Sequence, residues 1–140
     1  MLTAQEALER LLNAAHSVSG TETINTLDAT GRVLAEDQSS QLNVPPMDNT
    51  QMDGYAVRAA DCASGNASLA VSQRIPAGHV GQALQAGTAA RIFTGALIPE
   101  GADAVVMQEL CTLDEASGKV TVNHAPKSGE WIRRAGEDIR

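Results

Sequence analysis

The chain has 140 residues, a length that suits one domain with or without a small appendage. Of its residues, 43% are apolar but only three are aromatic, so the core must consist of aliphatic side chains. Its formal net charge of −7 disfavours nucleic acid and anionic lipid as partners. No apolar run approaches the ~20 residues of a membrane span, and the N-terminus lacks a signal-peptide pattern, so we expect a cytoplasmic protein.

The first predicted element is an amphipathic helix from residue 3 to about residue 18. Thr3 and Glu6 match the capping box, in which the two side chains close the start of the helix on each other. Apolar residues recur at helical spacing and form one stripe: Ala7, Leu8, Leu11, Leu12 and Ala15. Ser19 and Gly20 are expected to end this helix, the only long one that the sequence predicts.

Short strands separated by turn residues follow the helix. A weak alternation predicts a strand at residues 21–27, and residues 112–122 are typical of a hairpin with Gly118 in its turn. The other predicted strands are residues 54–57, 69–75, 89–94 and 104–109. One helix followed by several strands predicts an α+β fold that is mostly β.

The sequence contains no recognisable nucleophile system. His16, His79 and His124 are isolated from any plausible serine or cysteine partner, and neither a GxGxxG motif nor a P-loop is present. Cys62 and Cys111 lie far apart and outside metal-binding spacing, which favours two reduced structural thiols.

Acidic side chains are the remaining candidates, and two of them, Asp48 and Asp53, lie in the turn-rich segment VPPMDNTQMDGYAVR, residues 44–58. A second acidic group lies near the end beside basic residues: Glu137 and Asp138 with Arg133 and Arg134. Such carboxylates suit Mg²⁺, which takes one or two of them together with water and substrate phosphates. The alternative is that the aspartates cap turns and the arginines form surface ion pairs.

Thr94 is a further candidate because it ends the predicted strand in IFTGALIPEGADAVV, residues 92–106, just before Gly95. A hydroxyl and free backbone amides at a strand end are a common place for ligand contacts. The alternative is a hydroxyl that only closes the turn.

Three segments in this order, PPMDNTQMDGYAVR, RIFTGALIPEGADAVVMQE and SGEWIRRAGEDI, resemble the N-terminal part of the MoeA family of molybdopterin molybdenumtransferases, which includes the gephyrin E domain. The first helix and the segment GRVLAED also fit, so the resemblance covers essentially the whole chain. The sequence departs from the family at Met47, usually an aromatic residue, at Thr50-Gln51, usually a small pair, and at Trp131, usually a polar residue.

The resemblance implies three parts of the fold. Residues 1–43 form an N-terminal helix and linker region, residues 44–127 an inserted β domain of bifurcated, coiled sheets, and residues 128–140 return to the linker region. Family members continue after GEDI into a nucleotide-binding-like α/β domain and a small β domain. We therefore expect an N-terminal fragment that is inactive by itself.

The resemblance also implies an enzyme of molybdenum cofactor biosynthesis. In the family, adenylylated molybdopterin and molybdate react with Mg²⁺ to give the molybdenum cofactor and AMP. The active cleft lies between the β domain of one subunit and the α/β domain of its mate. The implied partners are a second copy in a homodimer and the enzyme that produces adenylylated molybdopterin, with neither nucleic acid nor membrane.

The family positions carried over are few. Asp53, Thr94 and Asp138 match positions implicated in catalysis, and Arg133 matches a basic position that would bind substrate. Asp53 would also contact the metal, directly or through water. Three neighbours of motif positions are expected to shape loops instead: Asp48, Asn49 and Glu137.

Two other functions stay open from the sequence. The Leu-rich stripe of the first helix fits a structural module that orders a dimer and docks a partner protein without catalysis of its own. A weaker alternative is a free-standing metal-binding β domain.

Overall fold

The computed structural model describes residues 2–140, which divide into two compact units. The first unit ends at Gln38 and the second runs from Ser39 to Arg140. Residues 128–140 thus fall in the same compact unit as residues 44–127. The predicted division into a linker region and an inserted domain stays a prediction.

The first unit contains helix α1, Ala4–Ala14, and a 3₁₀ turn, Thr26–Asp28. The predicted capping box is confirmed, because the Thr3 hydroxyl accepts a bond from the Glu6 amide and the Glu6 carboxylate accepts one from the Thr3 amide. The helix ends earlier than predicted since Ala15 is extended and its amide turns back to the Leu11 and Leu12 carbonyls. The strand predicted at residues 21–27 was wrong, because its weak alternation has no partner strand.

The second unit is built on eight strands. They are β1 Asn49–Thr50, β2 Gly54–Val57, β3 Ala67–Ile75, β4 Thr88–Ile92, β5 Ala104–Met107, β6 Cys111–Asp114, β7 Lys119–Val122 and β8 Ile132–Arg133. The prediction of β2 and of the β6–β7 hairpin is confirmed, and β3, β4 and β5 differ from their predicted ranges by a few residues at their ends. Sequence patterning missed β1 and β8 because two-residue strands carry no periodicity. The predicted α+β, mostly β fold class is confirmed.

Six strands form one mixed sheet in the order β5-β2-β4-β3-β7-β6. All neighbours are antiparallel except β3 and β4, which run parallel with a register shift between Val71 and Gln73. Strands β1 and β8 pair separately as a two-stranded antiparallel sheet, with Asn49 opposite Arg133.

Apolar side chains cover both faces of the large sheet. Alternation along β2 sends Tyr55 and Val57 to one buried cluster and Ala56 to another. The first cluster also contains Leu69, Val106, Val120 and Val122, and the second contains Ile75, Ile92, Val105 and Ile132. The aliphatic core expected from the composition is therefore divided between the two faces of one sheet.

Two 3₁₀ turns, Ala59–Cys62 and Gln108–Leu110, connect strands of this unit. Between residues 2 and 140, no helix combines the length and the apolar character needed to cross a membrane.

Candidate functional site

Asp53 and Thr94, 41 residues apart in sequence, are in direct contact. Asp53 Oδ1 accepts one hydrogen bond from the Thr94 amide at 2.8 Å and a second from the Thr94 hydroxyl at 2.7 Å. Asp53 Oδ2 accepts no hydrogen bond from residues 2–140. One carboxylate oxygen is thus fixed while the other is left for a ligand.

The sheet register explains why these two residues meet. Asp53 directly precedes β2, Thr94 is the second residue after β4, and the antiparallel pairing places Gly54 opposite Ile92. The start of one antiparallel strand lies beside the end of its neighbour, so both side chains reach the same edge of the sheet.

Gly54 lets Asp53 sit at this edge. A Cβ at this position would lie 2.0 Å from the carbonyl oxygen of Val106 on β5, so β2 and β5 approach too closely for any side chain. Gly95, on the other side of the pair, has a φ of 80°, which allows the chain to turn immediately after Thr94.

The hydrogen bonds fix the charge of Asp53 as well as its orientation. The bond from the Thr94 amide, the bond from its hydroxyl and the nearby positive charge of Arg91 lower the pKa of Asp53 below its ordinary value. Partial burial opposes this change but does not reverse it. Asp53 is therefore a carboxylate anion at neutral pH.

The sequence predicted that Asp48 shapes its own loop. Instead, its side chain makes a long-range contact. Its Oδ1 accepts a hydrogen bond from the Ala135 amide at 2.8 Å, and its Oδ2 forms an ion pair with Arg134 Nη1 at 2.6 Å. The Ala135 bond lowers the pKa of Asp48, and the bond from Arg134 adds to this effect. Asp48 thus ties the loop to the C-terminal segment.

Arg133 and Asp138 form an ion pair with each other. Glu137 shapes the turn between them, since its carboxylate accepts a bond from the Arg134 amide at 2.8 Å. Asn49 bonds the Met47 carbonyl within its own loop. The local role predicted for Asn49 and Glu137 agrees with these contacts.

Thr50 joins the three motifs through its backbone. Its amide donates to the Ala96 carbonyl at 3.0 Å, and its carbonyl accepts from the Gly95 amide at 2.9 Å. Thr50 also pairs with Ile132 in the β1–β8 ladder, and its side chain is only 1% exposed. The loop containing Asp53 therefore lies between the segment that follows Thr94 and the segment that contains Arg133.

The described residues contain no cluster of three or more potential metal ligands. A closed metal site is therefore not formed within residues 2–140. The free oxygen of Asp53 fits the more open binding typical of Mg²⁺, in which one carboxylate is joined by waters and substrate phosphates.

Sequence reasoning missed Arg91, which borders the pair. Arg91 Nη1 donates to the Gly54 carbonyl at 2.9 Å, and Nη2 donates to Gln108 Oε1 at 2.5 Å. Its guanidinium also lies 4.5 Å from the centre of the Phe93 ring. The available signal was the alternation in Arg91-Ile92-Phe93, which places the basic and aromatic side chains on one face.

Both cysteines are free, Cys62 in the core and Cys111 half-buried. Burial raises the pKa of Cys111 to about 11, and burial also raises the pKa of Cys62. The thiols are therefore protonated at neutral pH, in agreement with the structural role that the sequence predicted.

Residues 2–140 match the family model described as the MoeA N-terminal region, domain I and II. The chain belongs to this family. It is 43% identical over 141 aligned residues to a molybdopterin molybdenumtransferase of Haemophilus influenzae and 45% identical over 122 to one of Nostoc sp.. These alignments cover 100% and 84% of the chain but only 34% and 28% of the two relatives.

A solved structure gives the same result for the fold. The chain is similar to the molybdopterin biosynthesis MoeA protein of Pyrococcus horikoshii, with a TM-score of 0.81 and 36% identity. This match covers 97% of the chain and 36% of the solved structure. The MoeA resemblance inferred from the three motifs is confirmed, and the chain spans about a third of the length of the relatives that it matches.

Proposed function

We propose that this chain serves molybdenum cofactor biosynthesis as the N-terminal part of a molybdopterin molybdenumtransferase. In this proposal it forms one wall of an active site at which molybdate and adenylylated molybdopterin give the molybdenum cofactor and AMP. Membership of the MoeA N-terminal family and the names of the relatives support this function. The other wall would come from a domain outside these 140 residues, in a second subunit of a homodimer.

The observation that carries the proposal is the Asp53–Thr94 pair. Thr94 holds one carboxylate oxygen with two donors, so Asp53 loses little freedom when a ligand binds the other oxygen. A fixed anion at this point suits a positively charged or metal-bound part of the substrate. Asp53 would act by positioning and by charge stabilisation rather than as a general base, because its low pKa makes it a weak proton acceptor.

Arg133 and Asp138 would contribute to phosphate binding. The guanidinium of Arg133 suits a phosphate oxygen, and Asp138 orients it through their ion pair. Asp48 would keep this segment beside the loop through its bonds to Arg134 and Ala135. Asp138 would then contribute by orienting Arg133 or by contacting the substrate itself.

Mg²⁺ fits this arrangement as an ion that arrives with the substrate. Asp53 Oδ2 would contact it directly or through a water, and substrate phosphates would complete the coordination. When bound, the ion would neutralise phosphate charge. The contribution of the chain is to hold the Asp53 carboxylate ionised and in a fixed orientation.

A chimera provides the test. Residues 1–140 would replace the matching segment of the Haemophilus influenzae relative, and AMP release from adenylylated molybdopterin would be measured with molybdate and Mg²⁺. We expect the chimera to turn over and the 140-residue chain alone to give no AMP. A folded, inactive chimera would contradict the proposed function, and turnover by the chain alone would contradict the need for a second wall.

A second function, docking of a partner, is favoured by one observation on the first unit. Helix α1 has no buried residue, and Leu8, Leu11 and Leu12 are 49%, 70% and 64% exposed. Three leucines on one helical stripe suit an interface with another chain. Sedimentation of the 140-residue chain tests it: we expect self-association that Leu11→Glu weakens, and a monomer at all concentrations would contradict self-association through this helix.

A further inference from the structure

A groove of about 500 Å³ lies on the sheet face that carries Tyr55. Its lining combines two arginines, Arg74 and Arg91, with the Phe93 ring and with apolar side chains that include Val71 and Leu113. This volume is in the range of small-molecule sites, and mixed apolar and charged walls are typical of them.

The sheet register brings the charged residues together. Tyr55 on β2 pairs with Arg91 on β4, and Arg91 pairs with Arg74 on β3. These three residues form one row across neighbouring strands, and Phe93 lies two positions beyond Arg91 on the same face. The arrangement depends on the β3 register shift between Val71 and Gln73, which sets the partner of Arg91.

Both guanidinium groups lie against the aromatic ring. The carbons at the centres of the Arg74 and Arg91 guanidinium groups are each 4.5 Å from the centre of the Phe93 ring. Cation–π contacts hold a guanidinium in place while leaving its N–H edge free to bind an anion. One ring thus contacts two positive charges on a chain whose net charge is −7.

The two arginines differ in what remains free for a ligand. The Arg91 side chain donates to the Gly54 carbonyl and to Gln108, whereas the Arg74 side chain forms no hydrogen bond or ion pair with any of residues 2–140. Arg91 forms no ion pair within this range either. Arg74 therefore offers a complete donor edge, and Arg91 adds a fixed positive charge beside it.

We propose that this groove binds the phosphate group of a small molecule that also carries a flat ring. Arg74 donates to the phosphate oxygens, Arg91 contributes charge, and the ring packs against Tyr55, Val71 or Leu113. The groove adjoins the Asp53–Thr94 pair, because Arg91 bonds Gly54 and Thr94 follows Phe93. Phosphate binding by the groove does not depend on the proposed function. The identification of the bound molecule as the transferase substrate does rest on the proposed function.

The test is a titration of the ¹⁵N-labelled 140-residue chain followed by NMR, with phenyl phosphate and inorganic phosphate as probes. We expect shifts centred on Arg74, Arg91 and Phe93, and tighter binding of phenyl phosphate because only this probe supplies a ring. Arg74→Gln should weaken phenyl phosphate about 10-fold, the effect of losing one charge-assisted contact. Arg10→Gln is the matched control: it removes the same charge from helix α1 and should change affinity less than 2-fold.

Phe93→Leu distinguishes the contribution of the Phe93 ring from that of the arginine charges. It keeps both arginines and should still weaken the binding of phenyl phosphate. Each variant is compared by its full NMR spectrum, so that a loss of folding is recognised. Equal effects of Arg10→Gln and Arg74→Gln would overturn the proposal in favour of diffuse electrostatic attraction. Binding of a glutamate-rich peptide at the groove in preference to phenyl phosphate would overturn it in favour of a protein interface.

The outcome is separable from that of the chimera. Phosphate binding by the 140-residue chain, together with an inactive chimera, would support the phosphate-binding groove and contradict the transferase proposal. Turnover in a chimera that carries Arg74→Gln, at an unchanged KM for adenylylated molybdopterin, would contradict the assignment of the groove to that substrate.

Discussion

Asp48 and Asp53 lie on either side of the short strand β1 and have the same side chain, but the fold holds their two carboxylates differently. Asp48 has both oxygens occupied, one by Ala135 and one by Arg134. Asp53 receives both of its bonds from Thr94 on a single oxygen. The first carboxylate is thus held by the fold at both oxygens, and the second is held at one oxygen and able to bind a ligand at the other.

This difference teaches how a carboxylate can be assigned to structure or to chemistry. A carboxylate held at both oxygens contributes to stability and has less freedom to bind a substrate. A carboxylate held at one oxygen is preorganised for binding at the other. Substitutions that separate stability from activity at the two positions test this assignment directly.

Gly54→Ala should have the largest effect, because it disrupts the close packing of β2 against β5 next to Asp53. The added Cβ would meet the Val106 carbonyl oxygen at 2.0 Å, and we expect a loss of about 3 kcal/mol in the free energy of unfolding, measured in urea. Gly118→Ala is the control: its Cβ would meet nothing within 4 Å, and only its φ of 66° should cost about 1 kcal/mol. Equal losses would mean that the approach of β5 is not limiting.

Asp53→Asn should lower turnover of the chimera about 100-fold, as expected when one preorganised electrostatic contact is removed. The substitution keeps the size of the side chain and a carbonyl oxygen for Thr94, so the urea midpoint should change little. An unchanged rate would remove Asp53 from the site. A rate that falls only in proportion to lost folded protein would assign Asp53 to structure, like Asp48.

Thr94→Val should lower turnover by about 10-fold, because it deletes the hydroxyl donor while the backbone amide still holds Asp53. Thr94→Ser keeps the donor and should stay near the parent rate. The pKa of Asp53, measured by carboxyl ¹³C NMR, should rise in the valine variant and not in the serine variant. The same pKa in both variants would contradict a role for the hydroxyl.

Asp48→Asn should mainly affect stability, by about 1 kcal/mol at neutral pH, because both lost interactions are partly exposed. Turnover of the chimera should change less than 3-fold in the folded protein. A large loss of turnover at full stability would show that the position of the C-terminal segment, and not only its anchoring, depends on Asp48.

The smallest effect concerns pH. The folded-state pKa of Asp48 and of Asp53 is lowered, so each stabilises the fold above the unfolded pKa of about 3.9 and loses this contribution as pH falls through its folded value. The melting temperature should therefore drop as pH falls from about 5 to below the unfolded pKa of about 3.9, and Asp48→Asn should make this drop smaller. An identical drop in the variant would place the pH dependence elsewhere.

Local patterns were sufficient for most of the fold. The capping box placed the start of α1, and alternation with turn residues placed the strand at Gly54–Val57 and the β6–β7 hairpin. Patterns failed where pairing decides the structure: residues 21–27 have no partner strand, and β1 and β8 exist only because they meet each other. The parallel pairing of β3 with β4 likewise has no local signal.

By itself, the sequence determined the fold class, the family and the candidate residues Asp53, Thr94, Arg133 and Asp138, because motifs and periodicity are local properties of a chain. Tertiary structure alone decided which groups meet. The β2–β4 register brings Thr94 within hydrogen-bond distance of Asp53. The fold likewise brings Arg134 and Ala135 to Asp48, although they lie 86 and 87 residues away in sequence. The physical reason is that a carboxylate binds whichever donor the folded backbone brings within about 3 Å, and strand pairing sets that proximity.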